Sequence, residues 1–421
     1  MRRSTVVVIC DHAHTSGGLA RVAIAGACGL ARRGHRVIFV AAVGPVEDEL
    51  IAAGVTVVCL GQSDLLNGRN RLETAARGIW NATAAKYLRS VIDACPPEDT
   101  VLHIHGWAKA LSPSVAWICR RSGLPVFFTL HDYFALCPNG AFFDFQKGRN
   151  CELKALSPAC LRTHCDARAY HHKLWRSARF AVAASTRSLI DGMTLITLSE
   201  KQRAVIAPHI PAGTALAHVP NPIDVRDLGP APVERNREVL FVGRLSREKG
   251  PVLLAEAARK AGVPVRFIGD GGERSAIVEA FPGASLAGWL PAEQVTAEIR
   301  KARVVVLPSH WYETFGLAVH EALANGVPVI VSDNTAAVEA VAPGRNGFVF
   351  RSGDSDDLAA RLRDLADDET ALRMGREAYE RYWKAPFTLD RHLDRLEEVY
   401  GTAGWAAKAC PPAVHAVGAR A

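Results

Sequence analysis

LPSHWYETFGLAVHEALANGVPVIVSD, residues 307–333, sets the fold class of this chain. It leaves a β-branched run at residues 304–307 and turns through polar residues. It takes up helical spacing from Leu317, then passes Gly326 into a second β-branched run at 329–331. Strand, helix and strand in so short a span form one βαβ unit, whose strands lie parallel because the helix carries the chain back. Gly316 falls near the helix N-terminus, where free backbone N–H groups and the positive dipole end suit a phosphate. Glu313 and Glu321 flank it. An acid on a surface helix is more often a solvated face, but Glu321 lies near an apolar strand start, where a carboxylate needs a hydroxyl or amide partner.

The same alternation extends both ways. In the second half, strands are predicted at residues 239–242, 265–268, 285–288, 304–307, 329–331 and 348–350. In the first half they are predicted at 5–9, 37–42, 55–60, 101–105, 126–130 and 194–198, with a helix over 18–33. Strands apolar on both faces and separated by helices make a parallel sheet covered on both sides. VPNPIDVRDLGPAPVERNRE, residues 219–238, concentrates proline and charge and reads as a linker. The predicted fold is therefore α/β, with two Rossmann-like doubly wound domains facing across a cleft. Residues 1–222 form the first and 223–385 the second. A last amphipathic helix, about 386–405, is free to pack back on the first, and a tail from Cys410 is expected to fray.

Composition agrees. The chain has 421 residues, 49% of them hydrophobic, too many for one ordinary core. Every apolar run is cut by charge, proline or glycine short of the roughly 20 residues that a spanning helix needs. The run after Arg3 stops at Asp11, so no signal peptide is read and the expected location is cytoplasmic. Ten cysteines are then expected as reduced thiols. The net charge of +7 is spread along the chain, which suits small polyanions or an anionic membrane surface, and no nucleic-acid-binding module is present.

Other strand ends carry chemistry of the same kind. FVGRLSREKG places Arg244 and Lys249 beyond the strand ending at 242, two cations able to neutralise a diphosphate. FIGDGGERSAI places Gly269, Gly271 and Gly272 at the next strand end, where missing side chains let a ligand approach backbone, although such turns are often glycine-rich for steric reasons. VSDNTAAVEAV repeats the placement with Glu339, and TLHDYFALCPNG does so in the first half with His131 and Asp132. His103 and His105 alternate on the preceding strand.

Taken together, SGGLARVAIAGACGLARRGHRV, VLFVGRLSREKG, IGDGGE, the two glutamates around TFGLAVHEALANGVPVI, and SDNTAAVEAV with NGFVF resemble glycosyltransferase family four, of the GT-B fold, in that family's order and over most of the chain. The resemblance implies a retaining transfer of a hexose from a UDP- or GDP-sugar to a glycan or lipid-linked acceptor, as in bacterial-type polysaccharide or glycolipid synthesis. It implies that Arg244 and Lys249 bind the donor diphosphate, that Glu313 binds sugar hydroxyls, and that the backbone at Phe315 and Gly316 meets phosphate. Glu321 would bind the ribose, Gly17 and Gly18 would approach the phosphates from the other side, and His131 would act near the transferred sugar. No cofactor is expected for catalysis, since such enzymes stabilise the departing phosphate with cations and helix ends. A sugar-nucleotide epimerase of similar shape lacks the TFGLAVHEA arrangement. An inactive binding paralogue would not need Arg244, Lys249, Glu313 and Glu321 all intact.

Unlike the commonest family pattern, the loop after His131 holds Cys137, Cys151, Cys160 and Cys165. They could hold a structural zinc that orders a loop without a core of its own, or stand as small apolar residues or free thiols. The same region mixes Tyr133, Phe134, Phe142, Phe143 and Phe145 with Lys147, Arg149, Arg162, Arg168, Lys173 and Arg176. It reads as a surface for a lipid-linked acceptor at an anionic membrane, or as a loop whose aromatic residues pack inward.

Overall fold

The structure, a computed structural model, describes residues 4–402. The tail expected from Cys410 lies outside them. In chain order the first strands are β1 (Thr5–His12), β2 (Arg36–Val43), β3 (Thr56–Cys59), β4 (Thr100–Ile104) and β5 (Val126–Thr129). After a two-stranded hairpin, β6 (Phe143–Asp144) and β7 (Arg149–Asn150), come β8 (Thr194–Thr197) and β9 (Leu216–His218). The second set is β10 (Glu238–Val242), β11 (Val265–Ile268), β12 (Ser285–Gly288), β13 (Ala302–Leu307), β14 (Val329–Ser332) and β15 (Gly347–Phe350).

Two parallel sheets result, ordered β3-β2-β1-β4-β5-β8-β9 and β12-β11-β10-β13-β14-β15. In each, the first strand sits inside and the order reverses beside it, the doubly wound arrangement that leaves a crevice at the strands' carboxyl ends. The sequence dictates this through two-sided burial. All eight residues of β1 are buried, with Val7 and Ile9 facing one helical layer and Val6, Val8 and Cys10 the other. In β10, Val239 and Phe241 likewise oppose Leu240. Burying each such side chain contributes about 1.5–3 kcal/mol, so polar residues on either face would be costly.

The helix Leu389–Gly401 crosses back onto the first lobe. Its Leu393, Leu396, Val399 and Tyr400 enter the core beneath β1, and a Cβ at Gly29 would meet Leu393 Cδ1 at 2.5 Å. Arg33 clamps its outer face through Asp394 at 2.7 Å and Glu397 at 3.2 Å. The proline-rich segment is less detached than its composition implies. Ala231 and Val233 are buried in the second lobe, and the Ala231 N–H donates to Asn325 O at 2.8 Å. Among the described residues no helix is long and apolar enough to cross a membrane.

Candidate active site between the lobes

The carboxyl ends of the two sheets face each other and are joined directly. Tyr133 Oη donates to Tyr312 O at 3.0 Å, Thr314 Oγ1 to His131 O at 3.3 Å, and Ser199 Oγ to Thr314 O at 3.0 Å. Glu339 reaches from the second lobe to the start of the helix Glu200–Ile206, accepting from the Lys201 N–H at 2.6 Å and the Glu200 N–H at 3.3 Å. A carboxylate on free N–H groups at a positive dipole end is a favourable anchor. Its position at a strand end thus serves the lobe junction.

Two helix N-termini meet across this junction. Gly17 caps the helix Gly18–Arg32 with open space at its α-carbon, and Gly18 lies so near the other lobe that a Cβ would stand 3.0 Å from Leu317 Cδ1. Gly316, with φ of 89°, starts the helix Leu317–Ala324. The left-handed turn there favours glycine, and a Cβ would press Ala337 and Leu307 at 3.2 Å. The Phe315 side chain is buried, stacked on His320 at 4.4 Å, so any ligand contact at this position falls to its backbone. Arg21, on the first helix, spans to Glu321 at 3.5 Å and Asp224 at 3.2 Å. Burial raises the Glu321 carboxyl above its ordinary range, against the pull of Arg21.

Lys249 and Glu313 come together tightly, with Lys249 Nζ 2.6 and 2.7 Å from the two carboxylate oxygens. Trp311 Nε1 donates to Glu313 Oε2 at 2.5 Å, and the ammonium lies 5.1 Å from the Trp311 ring centroid. The indole therefore aims both charged groups, a role that its place in the quoted stretch did not announce. Arg244 is mostly exposed and tied loosely to Glu248 at 3.3 Å, free to swing toward an anion. Gly269 and Gly271 owe their lack of side chains to the chain itself, since a Cβ on either would run into the backbone carbonyls of Gly243 and Leu245. The steric reason for glycine there is close packing of two strand-end loops.

On the first lobe, His131 Nε2 and His105 Nδ1 are 3.0 Å apart with stacked rings. Burial pushes His131 down to about 3, so both imidazoles are neutral and one donates to the other. His103 turns away to Tyr400 Oη at 2.5 Å and Thr129 Oγ1 at 2.7 Å, a structural pairing. Asp132, pushed up to about 6 by burial, accepts from the Phe134 N–H.

Of the two readings of the following loop, inward packing holds for its central aromatic residues. Tyr133, Phe142 and Phe143 are at most 2% exposed and Lys173 is fully buried, because the loop folds its aromatic residues into the lobe's core. Lys147, Arg149, Arg162 and Arg168 stay exposed. Cys137, Cys151, Cys160 and Cys165 line one small cavity with Lys173.

Comparison with known proteins accords with this geometry. Residues 16–227 match the model of Glycosyltransferase Family 4, and residues 229–381 that of Glycosyl transferases group 1. The chain is 28% identical over 404 residues to a D-inositol 3-phosphate glycosyltransferase of Gordonia bronchialis, covering 89% of this chain and 81% of that one. It is 32% identical over 179 residues to the sulfoquinovosyl transferase SQD2 of Arabidopsis thaliana, but this covers only 40% of this chain and 34% of that protein. In fold it resembles a sucrose-phosphate synthase from Thermosynechococcus elongatus, with a TM-score of 0.67, 20% identity, and coverage of 96% of this chain and 100% of that one. Anabaena HepE in complex with UDP and glucose gives a TM-score of 0.66, 16% identity, and coverage of 95% and 100%. With both lobes matched in order, the chain belongs to the family 4 glycosyltransferases, and its two facing Rossmann-like domains are the GT-B fold.

Proposed function

We propose that this chain transfers a hexose, with retention, from a UDP- or GDP-sugar to a glycan or lipid-linked acceptor. The observation that carries the reading is the junction itself. Two helix N-termini, at Gly18 and Leu317, face each other in the company of the Lys249–Glu313 pair and Arg244. Departure of a nucleoside diphosphate leaves negative charge on phosphate and positive character on the anomeric carbon. Fixed N–H groups and cations stabilise that separation where water is kept out. Lys249 and Arg244 take the diphosphate, Glu313 takes sugar hydroxyls once Lys249 turns to phosphate, and Glu321 takes the ribose in exchange for Arg21. Neutral His131 serves as a hydrogen-bonding group beside the anomeric centre.

Relatives support both nucleotides, since HepE is seen with UDP-glucose and Mycobacterium tuberculosis has a GDP-mannose-dependent alpha-mannosyltransferase 32% identical over 164 residues. That match covers 38% of this chain and 43% of the mannosyltransferase. A panel of UDP- and GDP-sugars, read by thermal shift and by slow donor hydrolysis, tests the proposal. One donor at a hundred times its Kd should stabilise the fold by about 2.7 kcal/mol and be hydrolysed. If no nucleotide sugar does either, the reading is wrong. Contact with an anionic membrane, if the acceptor is lipid-linked, rests on the exposed Lys147, Arg149, Arg162 and Arg168. Vesicle binding should then need anionic lipid and fade with salt, and a protein left in the supernatant throughout argues for a soluble acceptor.

A further inference from the structure

The loop between β5 and the helix Tyr170–Ser185 has little regular structure, only the hairpin β6–β7 and the short helix Pro158–Arg162. Cys137, Cys151, Cys160 and Cys165 reach one cavity of about 10 Å³ from four points along it, a volume that suits a water or a small ion. Polar groups reach three of the sulfurs. The Cys137 thiol donates to Asn139 Oδ1 at 3.1 Å, Asn139 Nδ2 donates to Cys165 Sγ at 3.4 Å, and Lys173 Nζ donates to Cys160 Sγ at 3.2 Å. Lys173 is fully buried and lines the same cavity as the four sulfurs.

We propose that Cys137, Cys151, Cys160 and Cys165 bind one thiophilic divalent ion of the zinc class, with Lys173 donating to the ligand sulfurs from outside the coordination sphere. Binding replaces four S–H protons, released to solvent, by four metal–sulfur bonds. It leaves a net charge of −2 on the site, which Lys173 offsets in part. In the present arrangement no three potential ligands among the described residues are set to hold an ion, so binding draws the sulfurs inward to the roughly 2.3 Å of a zinc–thiolate bond. The site matters to the junction because its loop holds Tyr133, whose hydroxyl reaches Tyr312 of the other lobe.

The test uses the whole chain, purified reduced and without chelator. Elemental analysis should find one zinc per chain, and cobalt(II) added to the metal-free protein should give the charge-transfer and ligand-field bands of tetrahedral thiolate coordination. Cys137→Ser and Cys165→Ser should each abolish tight binding. Lys173→Met should keep the metal with affinity lowered about tenfold to a hundredfold, which remains informative if a cysteine variant fails to fold. Reduced protein that takes up neither zinc nor cobalt overturns the proposal, as does metal retained by the Cys137→Ser/Cys165→Ser double variant. So does a native mass lower by two hydrogens per cysteine pair with no metal uptake after reduction.

Discussion

Replacing Lys249 by methionine separates two consequences of one ammonium group. Its side chain and that of Glu313 are 15% and 14% exposed, with Nζ 2.6 Å from the nearer oxygen. At an effective dielectric of 20 that separation is about 6 kcal/mol of gross attraction. Desolvation offsets most of it and leaves a net of about 1–3 kcal/mol. Lys249→Met also strands the Glu313 carboxylate, held then by Trp311 alone. A loss of about 2 kcal/mol is expected, or roughly 4–8 °C in the melting of a lobe of this size. In the double variant Lys249→Met/Glu313→Gln no charge is stranded and most of that loss should return. Turnover behaves differently, because a preorganised donor at a developing oxyanion is worth about 2.7–4 kcal/mol, or 10²–10³ in rate. The double variant should therefore melt near wild type and stay at least a hundredfold slow. Arg244, 72% exposed and screened by solvent, should lose only about tenfold on Arg244→Ala. Turnover at saturating donor, measured beside thermal unfolding of each variant, decides the matter. A double variant restored in stability and within threefold of wild-type rate would refute the phosphate role of Lys249.

Glu321→Ala should weaken binding of the free nucleoside diphosphate about tenfold by calorimetry, the size of a lost hydrogen bond to a charged group, and unchanged affinity would remove Glu321 from the ribose. Gly269→Ala forces a Cβ onto the Gly243 carbonyl at a φ of 130° and should destabilise the second lobe by about 2 kcal/mol or more, whereas Gly272→Ala, which meets nothing within 4 Å, should be near neutral in the same melts. His320 and His392, each lowered by burial to about 4, give a pH dependence of defined sign. Between pH 6.5 and 4 the unfolded chain takes up protons that the folded chain refuses, so stability should fall with acidification by up to about 1.4 kcal/mol per pH unit for each histidine. His392→Asn should flatten that slope in pH-dependent unfolding.

Much of the fold was legible because two-sided apolar runs at regular spacing have few other uses. β11 and β12 fall on the residues expected, and most of the other long strands differ by one to three residues at an end. The elements without a legible signal are weakly patterned. β9 is three half-buried residues completed by pairing with β8, and the hairpin β6–β7 has two residues a side. The linker reading erred in degree for a related reason. Proline and charge dominate residues 219–238, yet two small apolar residues, Ala231 and Val233, suffice to fasten the segment to the second lobe.

The site divides differently. Each candidate cation and carboxylate is marked by its place at a strand end, which is local information. Their partners are not, because pairing depends on the assembled fold. Arg21 and Glu321, 300 positions apart, and Tyr133 and Tyr312, 179 apart, meet across the lobes, whereas Lys249 and Glu313, 64 apart, meet between two strand ends of the second lobe. No periodicity within either lobe encodes those distances. The glycines are ambiguous in the sequence for the converse reason. Gly269 and Gly271 suit either a ligand at the backbone or a close-packed turn, and the carbonyls of Gly243 and Leu245 display the second need. A glycine marks where something comes close, and only the assembled loops say whether it is substrate or chain. Trp311 makes the same point from the other side. An indole two residues before an acid reads as bulk until the fold turns its N–H onto that carboxylate and its face toward the ammonium. The candidate site is thus two sets of strand ends, each legible alone, brought together where the lobes face.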